Sequence, residues 1–168
     1  MRLVFSAVAL LMLTACTAGG RTPSSGCAKP QHDPFDPRSV VHILPGAVPP
    51  PYLTNPPTSG EHQPVNILAY RGLVQSPITP QIQVALLESS QVLIQYQPTV
   101  GSQLLASLES TPLVTLAPNP ALPTPIVATA WLWRLRCAGP AQTALPSLRA
   151  FVAAHAGNGP QPPPPSPS

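Results

Sequence analysis

The chain has 168 residues, of which 27 are proline and only 8% are charged, and its formal net charge is +3. Nucleic-acid binding needs a stripe of basic side chains that displaces counterions, and the few basic residues here are scattered, so the composition argues against a nucleic-acid partner. The length predicts one domain, and the prolines predict short helices and strands joined by rigid, extended connections.

The first 16 residues, MRLVFSAVALLMLTAC, are typical of an export signal. Arg2 supplies the positive start, and the apolar residues 3–13 would span only about 16 Å as a helix, against roughly 30 Å for a bilayer core. The LTAC ending resembles the lipobox of bacterial lipoproteins. We therefore predict a signal peptide at residues 1–15 and lipid on Cys16, which would make membrane lipid a partner and the protein an extracytoplasmic lipoprotein of the cell envelope. The alternative is an ordinary secretory signal that is cleaved nearby.

Two flanking segments are too poor in apolar residues to form a core. Residues 16–39 are rich in Gly, Ser, Pro and Thr, and they predict a flexible tether. Residues 158–168 end in QPPPPSPS, which predicts a disordered tail that favours polyproline II. The folded domain is then expected at residues 40–157.

Three cysteines are present: Cys16, Cys27 and Cys137. If lipid occupies Cys16, two remain in an oxidising compartment, and an even pair there predicts a Cys27–Cys137 disulfide. The alternative is two separate thiols that act as metal ligands. That alternative is weaker, because there is no CxxC spacing and no histidine adjacent to either cysteine.

The first half of the domain holds one long loop, one helix and one strand. Residues 49–64 contain so many prolines that they predict an extended loop without regular pairing. Thr79 and Pro80 are typical of an N-cap and the first helical residue, and apolar side chains at helical spacing continue to about Ser90. Residues 92–96, VLIQY, are typical of a buried strand.

The second half alternates short helices and strands. The last helix is predicted to start near Pro146 and to end before Gly157. The other predicted elements are a helix at 101–110, a strand at 113–116, a rigid loop at 117–125 and a strand at 126–133. This order predicts an α+β fold: a single small domain whose short strands form one sheet, packed with about three helices and joined by long Pro-rich loops.

Several stretches together resemble a bacterial family known as domain of unknown function 3105. They are VHI followed by PG at residues 41–46, YLTNPPTSGEH at 52–62, APNP at 117–120 with AW at 130–131, and LRC at 135–137 with the closing helix. The resemblance covers about residues 40–160. It implies a family without implying a function.

One departure from the family pattern concerns metal binding. In the family that the sequence resembles, the junction between a helix and a strand has the pattern HxxLEHG. Its two histidines would share one face of the helix and could hold a metal ion. Here Ala85 and Ser89 take the histidine positions, and Ser90 takes that of the glycine.

Three candidate metal ligands remain, namely His42, His62 and Glu88. Imidazole and carboxylate together suit zinc or copper(II), so one hypothesis is a weakened or vestigial metal-binding domain. In the structural alternative, His62 forms hydrogen bonds within its own loop and His42 lies at a strand edge. No other cofactor is predicted.

The loop at residues 49–64 is a candidate binding surface, with Tyr52, Asn55, Ser59 and His62 as its candidate contacts. Long loops inside compact domains are often functional. No GxSxG elbow, paired-carboxylate motif or phosphate-binding glycine loop occurs, so the sequence does not favour an enzyme. The first interpretation is a non-catalytic binding or structural module at the cell envelope, and metal binding is the alternative.

Overall fold

The computed structural model describes residues 26–163, which form one mixed six-stranded sheet and three α-helices. This confirms the predicted α+β fold. The strands are β1 Gln31–His32, β2 Gly72–Leu73, β3 Val92–Tyr96, β4 Val114–Pro118, β5 Ile126–Ala130 and β6 Trp133–Cys137, and the helices are α1 Pro80–Glu88, α2 Ser102–Ala106 and α3 Ala141–His155. Two short 3-10 helices, Pro37–Val40 and Ile67–Tyr70, lie before α1.

The strand order across the sheet is β1-β6-β5-β3-β4-β2. The pairs β3–β4 and β2–β4 are parallel, and the other three pairs are antiparallel. Successive side chains of a strand point to opposite faces. Thus Ile94 of β3 packs with α2 and α3, while its neighbour Leu93 packs with Leu86 and Leu87 of α1. The sheet is therefore covered by α1 on one face and by α2 and α3 on the other.

The start of α1 and the whole of β3 agree with the sequence prediction. Thr79 precedes the helix and Pro80 is its first residue, where the missing N–H of proline is not needed. The helix ends at Glu88, slightly before the predicted limit. Ser90 then adopts a left-handed φ of 65°, which turns the chain into β3.

Helix α3 is longer than predicted. It begins at Ala141, so Pro146 lies inside it rather than near its start. The helix loses one backbone hydrogen bond at Pro146, but the proline ring is exposed and does not disturb the core. Gly157, with a φ of 84°, follows the helix end as predicted.

The strand predicted at residues 126–133 is two strands. β5 and β6 pair as an antiparallel hairpin in which Ala130 lies opposite Trp133. The turn between them is Trp131-Leu132, and Leu132 has a φ of 62°. Such a turn usually carries Gly or Asn, and their absence concealed the hairpin in the sequence.

The expectation of a flexible tether up to residue 39 is wrong for residues 26–39, because this segment is part of the fold. β1 pairs with β6, and Asp33, which is completely buried, forms an ion pair with Arg134 at 2.7 Å. Asp36, also buried, is bound by Arg38. These pairings hold the segment on the fold although it has few apolar residues, the feature that suggested a tether.

The predicted tail also begins later than expected, since residues up to 161 contact the end of α1. Two parts of the chain lie outside the described residues. They are residues 1–25, with the predicted signal peptide and Cys16, and residues 164–168. Within residues 26–163, no helix has the length and apolar character to cross a membrane.

Candidate metal centre

A short parallel pairing brings the two candidate histidines together. His42 and His62 are bridge partners: Ile43 N donates to His62 O at 2.8 Å, and His62 N donates to Val41 O at 3.3 Å. The two imidazole rings lie 4.7 Å apart, centroid to centroid, and are nearly perpendicular at 89°. Residues far apart in the chain thus present two ring nitrogens to one point.

Glu88, the last residue of α1, completes the group. Its Oε2 lies 2.7 Å from His62 Nε2 and 3.9 Å from His42 Nε2. One ligand atom from each of the three residues falls within 4.8 Å of the others. The three predicted ligands therefore converge, as a metal site requires.

The hydrogen bond on the other side of the His62 ring decides what Nε2 can do. His62 Nδ1 lies 3.1 Å from Gly60 O, and a carbonyl oxygen only accepts, so Nδ1 carries the hydrogen. In the neutral ring, Nε2 is then an acceptor that faces a carboxylate oxygen at 2.7 Å. Two acceptors at that distance repel unless a cation, either a proton or a metal ion, lies between them.

The 2.7 Å separation of His62 Nε2 and Glu88 Oε2 leaves room for either cation. His62 Nε2 is buried, and its close contact with Glu88 does not meet the geometry of an aligned hydrogen bond. A metal ion placed to one side of the N···O line could accept a lone pair from each of the two atoms.

The site is closed on one side and open on the other. The side chain of His62 is 1% exposed and that of Glu88 15%, whereas that of His42 is 54% exposed. Ligands of one zinc ion with bonds of about 2 Å lie at most about 4 Å apart, so one side chain must move slightly to close the set. His42 is free to make that movement, and its side is the route by which an ion would enter.

The Gly60 carbonyl that orients His62 is itself held in place. Gly60 N donates to Ser39 Oγ at 2.8 Å, and Gly60 has a φ of 128°, which disfavours side chains. A β-carbon at this position would lie 2.8 Å from Cδ1 of Tyr52. Groups that orient a ligand are important for metal affinity, and Ser39 acts in this way through Gly60. Nothing in the sequence pattern singled out Ser39.

The four predicted contacts of the loop at 49–64 differ in exposure. Tyr52 donates its hydroxyl hydrogen to Glu61 O at 2.7 Å, and burial raises the pKa of Tyr52 to about 12. Ser59 is buried and accepts a hydrogen bond from Asp36 N at 3.0 Å, while Asn55 is exposed. The binding role of this loop stays a prediction; of its candidate contacts, only His62 joins the metal group.

The vacated histidine positions and the cysteines contribute no ligand to the site. Ala85 and Ser89 are buried small residues at the end of α1. Cys27 and Cys137 form the predicted disulfide, which closes a sequence separation of 110 residues and leaves neither thiol for a metal ion.

Comparison with known sequences gives a family and nothing more specific. The family described as "Protein of unknown function (DUF3105)" matches residues 49–167, which include His62 and Glu88. No curated protein and no solved structure matches the chain.

Proposed function

The chain belongs to the DUF3105 family, whose description assigns no function, and we therefore propose from the site itself that the protein binds one divalent transition-metal ion through His42, His62 and Glu88. Two imidazoles and one carboxylate suit zinc or copper(II), and copper(II) should bind more tightly, as it does at most nitrogen and oxygen sites. This function ranks ahead of a module without metal.

One observation carries the proposal. His62 Nε2, buried and without an aligned donor or acceptor, lies 2.7 Å from the Glu88 carboxylate while its Nδ1 is tied to Gly60 O. A simple ion pair between His62 and Glu88 would not need a second imidazole. A metal ion could bind the nearby His42 as a third ligand, whereas a proton shared between His62 and Glu88 could not.

The ligand number favours binding and exchange over a permanent structural role. Structural zinc sites are closed by four protein ligands, whereas three ligands leave at least one position for water or another molecule. The half-exposed His42 gives that position access to solvent. We therefore propose a non-catalytic metal-binding module whose ion exchanges with its surroundings.

We further propose that the protein works outside the cytoplasm as a lipoprotein of the cell envelope, held by lipid on Cys16. The short apolar stretch that ends in LTAC supports this location. The Cys27–Cys137 disulfide supports it independently, because disulfides persist mainly in oxidising compartments.

The metal proposal is tested by titrating the untagged, metal-free protein with copper(II) and with zinc in a calorimeter. We expect one ion per chain. Removal of a direct ligand in His62→Ala should weaken binding by about 100-fold or more, because loss of an orienting group alone costs 10- to 100-fold.

The matched control is His32→Ala, which removes an exposed histidine that contacts Trp133 and lies outside the ligand group. This variant should bind like the parent. Absence of stoichiometric binding by the parent, or equal losses in both variants, would contradict the proposal.

A further inference from the structure

The segment at residues 157–161, called here the C-terminal strap, lies across the junction between α1 and β3. Gly157 N donates to Ser90 O at 2.9 Å, and Gln161 N donates to Glu88 O at 2.9 Å. Between these two bonds, Gly159 N donates to Ser90 Oγ at 3.0 Å, and Ser90 Oγ donates to Gln161 O at 2.5 Å. The strap thus binds both Ser90 and the backbone of the metal ligand Glu88.

Gly159 allows this close approach. A β-carbon there would lie 2.6 Å from Leu87 O and from Ser90 N, and 2.7 Å from Glu88 O. Those neighbours are all backbone atoms, which cannot rotate away as a flexible side chain could. The strap can therefore dock in this way only if residue 159 has no side chain.

Ser90 occupies a position that suits glycine. Its φ of 65° is unfavourable for a residue with a β-carbon. The serine hydroxyl forms two hydrogen bonds with the strap, since it accepts from Gly159 N and donates to Gln161 O.

The strap contacts the C-terminal end of α1, the helix that carries Glu88. The last carbonyl groups of a helix have no partner within the helix, and helix ends fray. Gln161 N supplies a partner to the carbonyl of Glu88, the last residue of α1. Fraying of this turn would move the Glu88 carboxylate away from His62.

We infer that the C-terminal strap and Ser90 are positioning elements of the metal site: they hold the end of α1 so that Glu88 faces His42 and His62. The inference rests on the proposed metal binding. It gives a role to the first residues of a segment, 158–168, whose composition indicated only a disordered tail. The proposed ligands are His42, His62 and Glu88, so neither Ser90 nor the strap would contact the ion.

The first test is Gly159→Ala, which excludes the strap from its place. Copper(II) affinity should fall about 10-fold, as expected for loss of an orienting group, and the electron paramagnetic resonance spectrum of bound copper(II) should change. The matched control is Gly101→Ala, because a β-carbon at Gly101 meets nothing within 4 Å. The control should bind copper(II) as the parent does and give the same spectrum.

The second test separates positioning from stability. Ser90→Gly removes the hydroxyl but relieves the unfavourable φ, so the metal-free variant should resist urea as well as the parent or better. Its copper(II) affinity should nevertheless fall several-fold. The double variant Ser90→Gly/Gly159→Ala should lose little more than Gly159→Ala alone, because both changes remove the same contact.

The outcomes distinguish the two proposals. If the parent binds no metal, both the proposed function and the role of the strap are wrong. If the parent binds copper(II) and Ser90→Gly binds it equally well with the same spectrum, only the role of the strap is wrong, even should Gly159→Ala fail to fold.

Discussion

His155, on the last turn of α3, packs its ring against Trp133 and Phe151 at centroid distances of 4.8 and 4.5 Å. This burial lowers the pKa of His155 below its ordinary value of 6.5. The folded protein therefore prefers the neutral ring. Between the lowered pKa and 6.5 the unfolded chain binds more protons than the folded one, so stability must fall as the pH falls through this range.

We predict that His155→Gln reduces this loss of stability on acidification. The measurement is the free energy of unfolding in urea for the metal-free parent and variant at about pH 7.5 and about pH 5. The parent should lose more stability than the variant between the two conditions. Equal losses would show that burial of His155 does not contribute to the pH dependence.

The three metal ligands could be named from the sequence, but their surroundings could not. His42 and His62 stand in stretches that resemble a family pattern, and Glu88 adjoins a position where that pattern has histidine. The Gly60 carbonyl that orients His62 is a backbone group, and a backbone group leaves no trace in residue identity. The same holds for the strap, which binds largely through its own N–H groups.

At the scale of elements, Pro146 in α3 is a clear local defect. Proline has no N–H to donate to the carbonyl four residues earlier, and its ring crowds that turn of the helix. Because the ring is exposed, it contributes little packing in return. Proline also restricts the unfolded chain, and that effect offsets part of the cost in the helix.

We predict that Pro146→Ala stabilises the protein by about 2 kcal/mol, which is the helix penalty of roughly 3 kcal/mol less an offset of up to about 1 kcal/mol from the unfolded chain. Urea unfolding measures the change. Pro45→Ala is the matched control, an exposed proline in a turn outside any helix, and it should give no increase. A lower stability for Pro146→Ala would contradict the prediction.

Elements with strong local signals were predictable, and those fixed by distant partners were not. The Thr79-Pro80 start of α1 and the apolar run of β3 follow from local preferences. β1 has only two exposed residues and exists because β6 pairs with it. The hairpin turn at Leu132 depends on a left-handed φ that leucine does not signal.

At the scale of the whole molecule, residues 28–33 run along β6 from one end to the other. Ala28 N donates to Arg136 O, and Asp33 N donates to Leu132 O, both at 2.8 Å. The Cys27–Cys137 disulfide fixes the first of these ends. Composition alone indicated a tether here, because it does not reveal that Asp33 has a buried partner in Arg134.

The proposed lipid anchor, Cys16, stands eleven positions before Cys27 in the sequence. We predict that Cys16→Ala moves the protein from the membrane fraction to the soluble fraction, and that the mass of the parent includes acyl chains. Thr17→Ala retains the thiol and should remain in the membrane fraction. If Cys16→Ala stays in the membrane fraction as firmly as the parent, and the parent carries no acyl mass, the lipoprotein proposal is wrong.

The proposed metal site unites three segments that are far apart in the sequence. It can be tested with crystals of the protein loaded with copper(II) or zinc and measured at the absorption edge of that metal. We expect one anomalous peak per chain, about 2 Å from a ring nitrogen of His42, a ring nitrogen of His62 and the Glu88 carboxylate. A peak elsewhere, or none at this point in metal-loaded crystals, would contradict it.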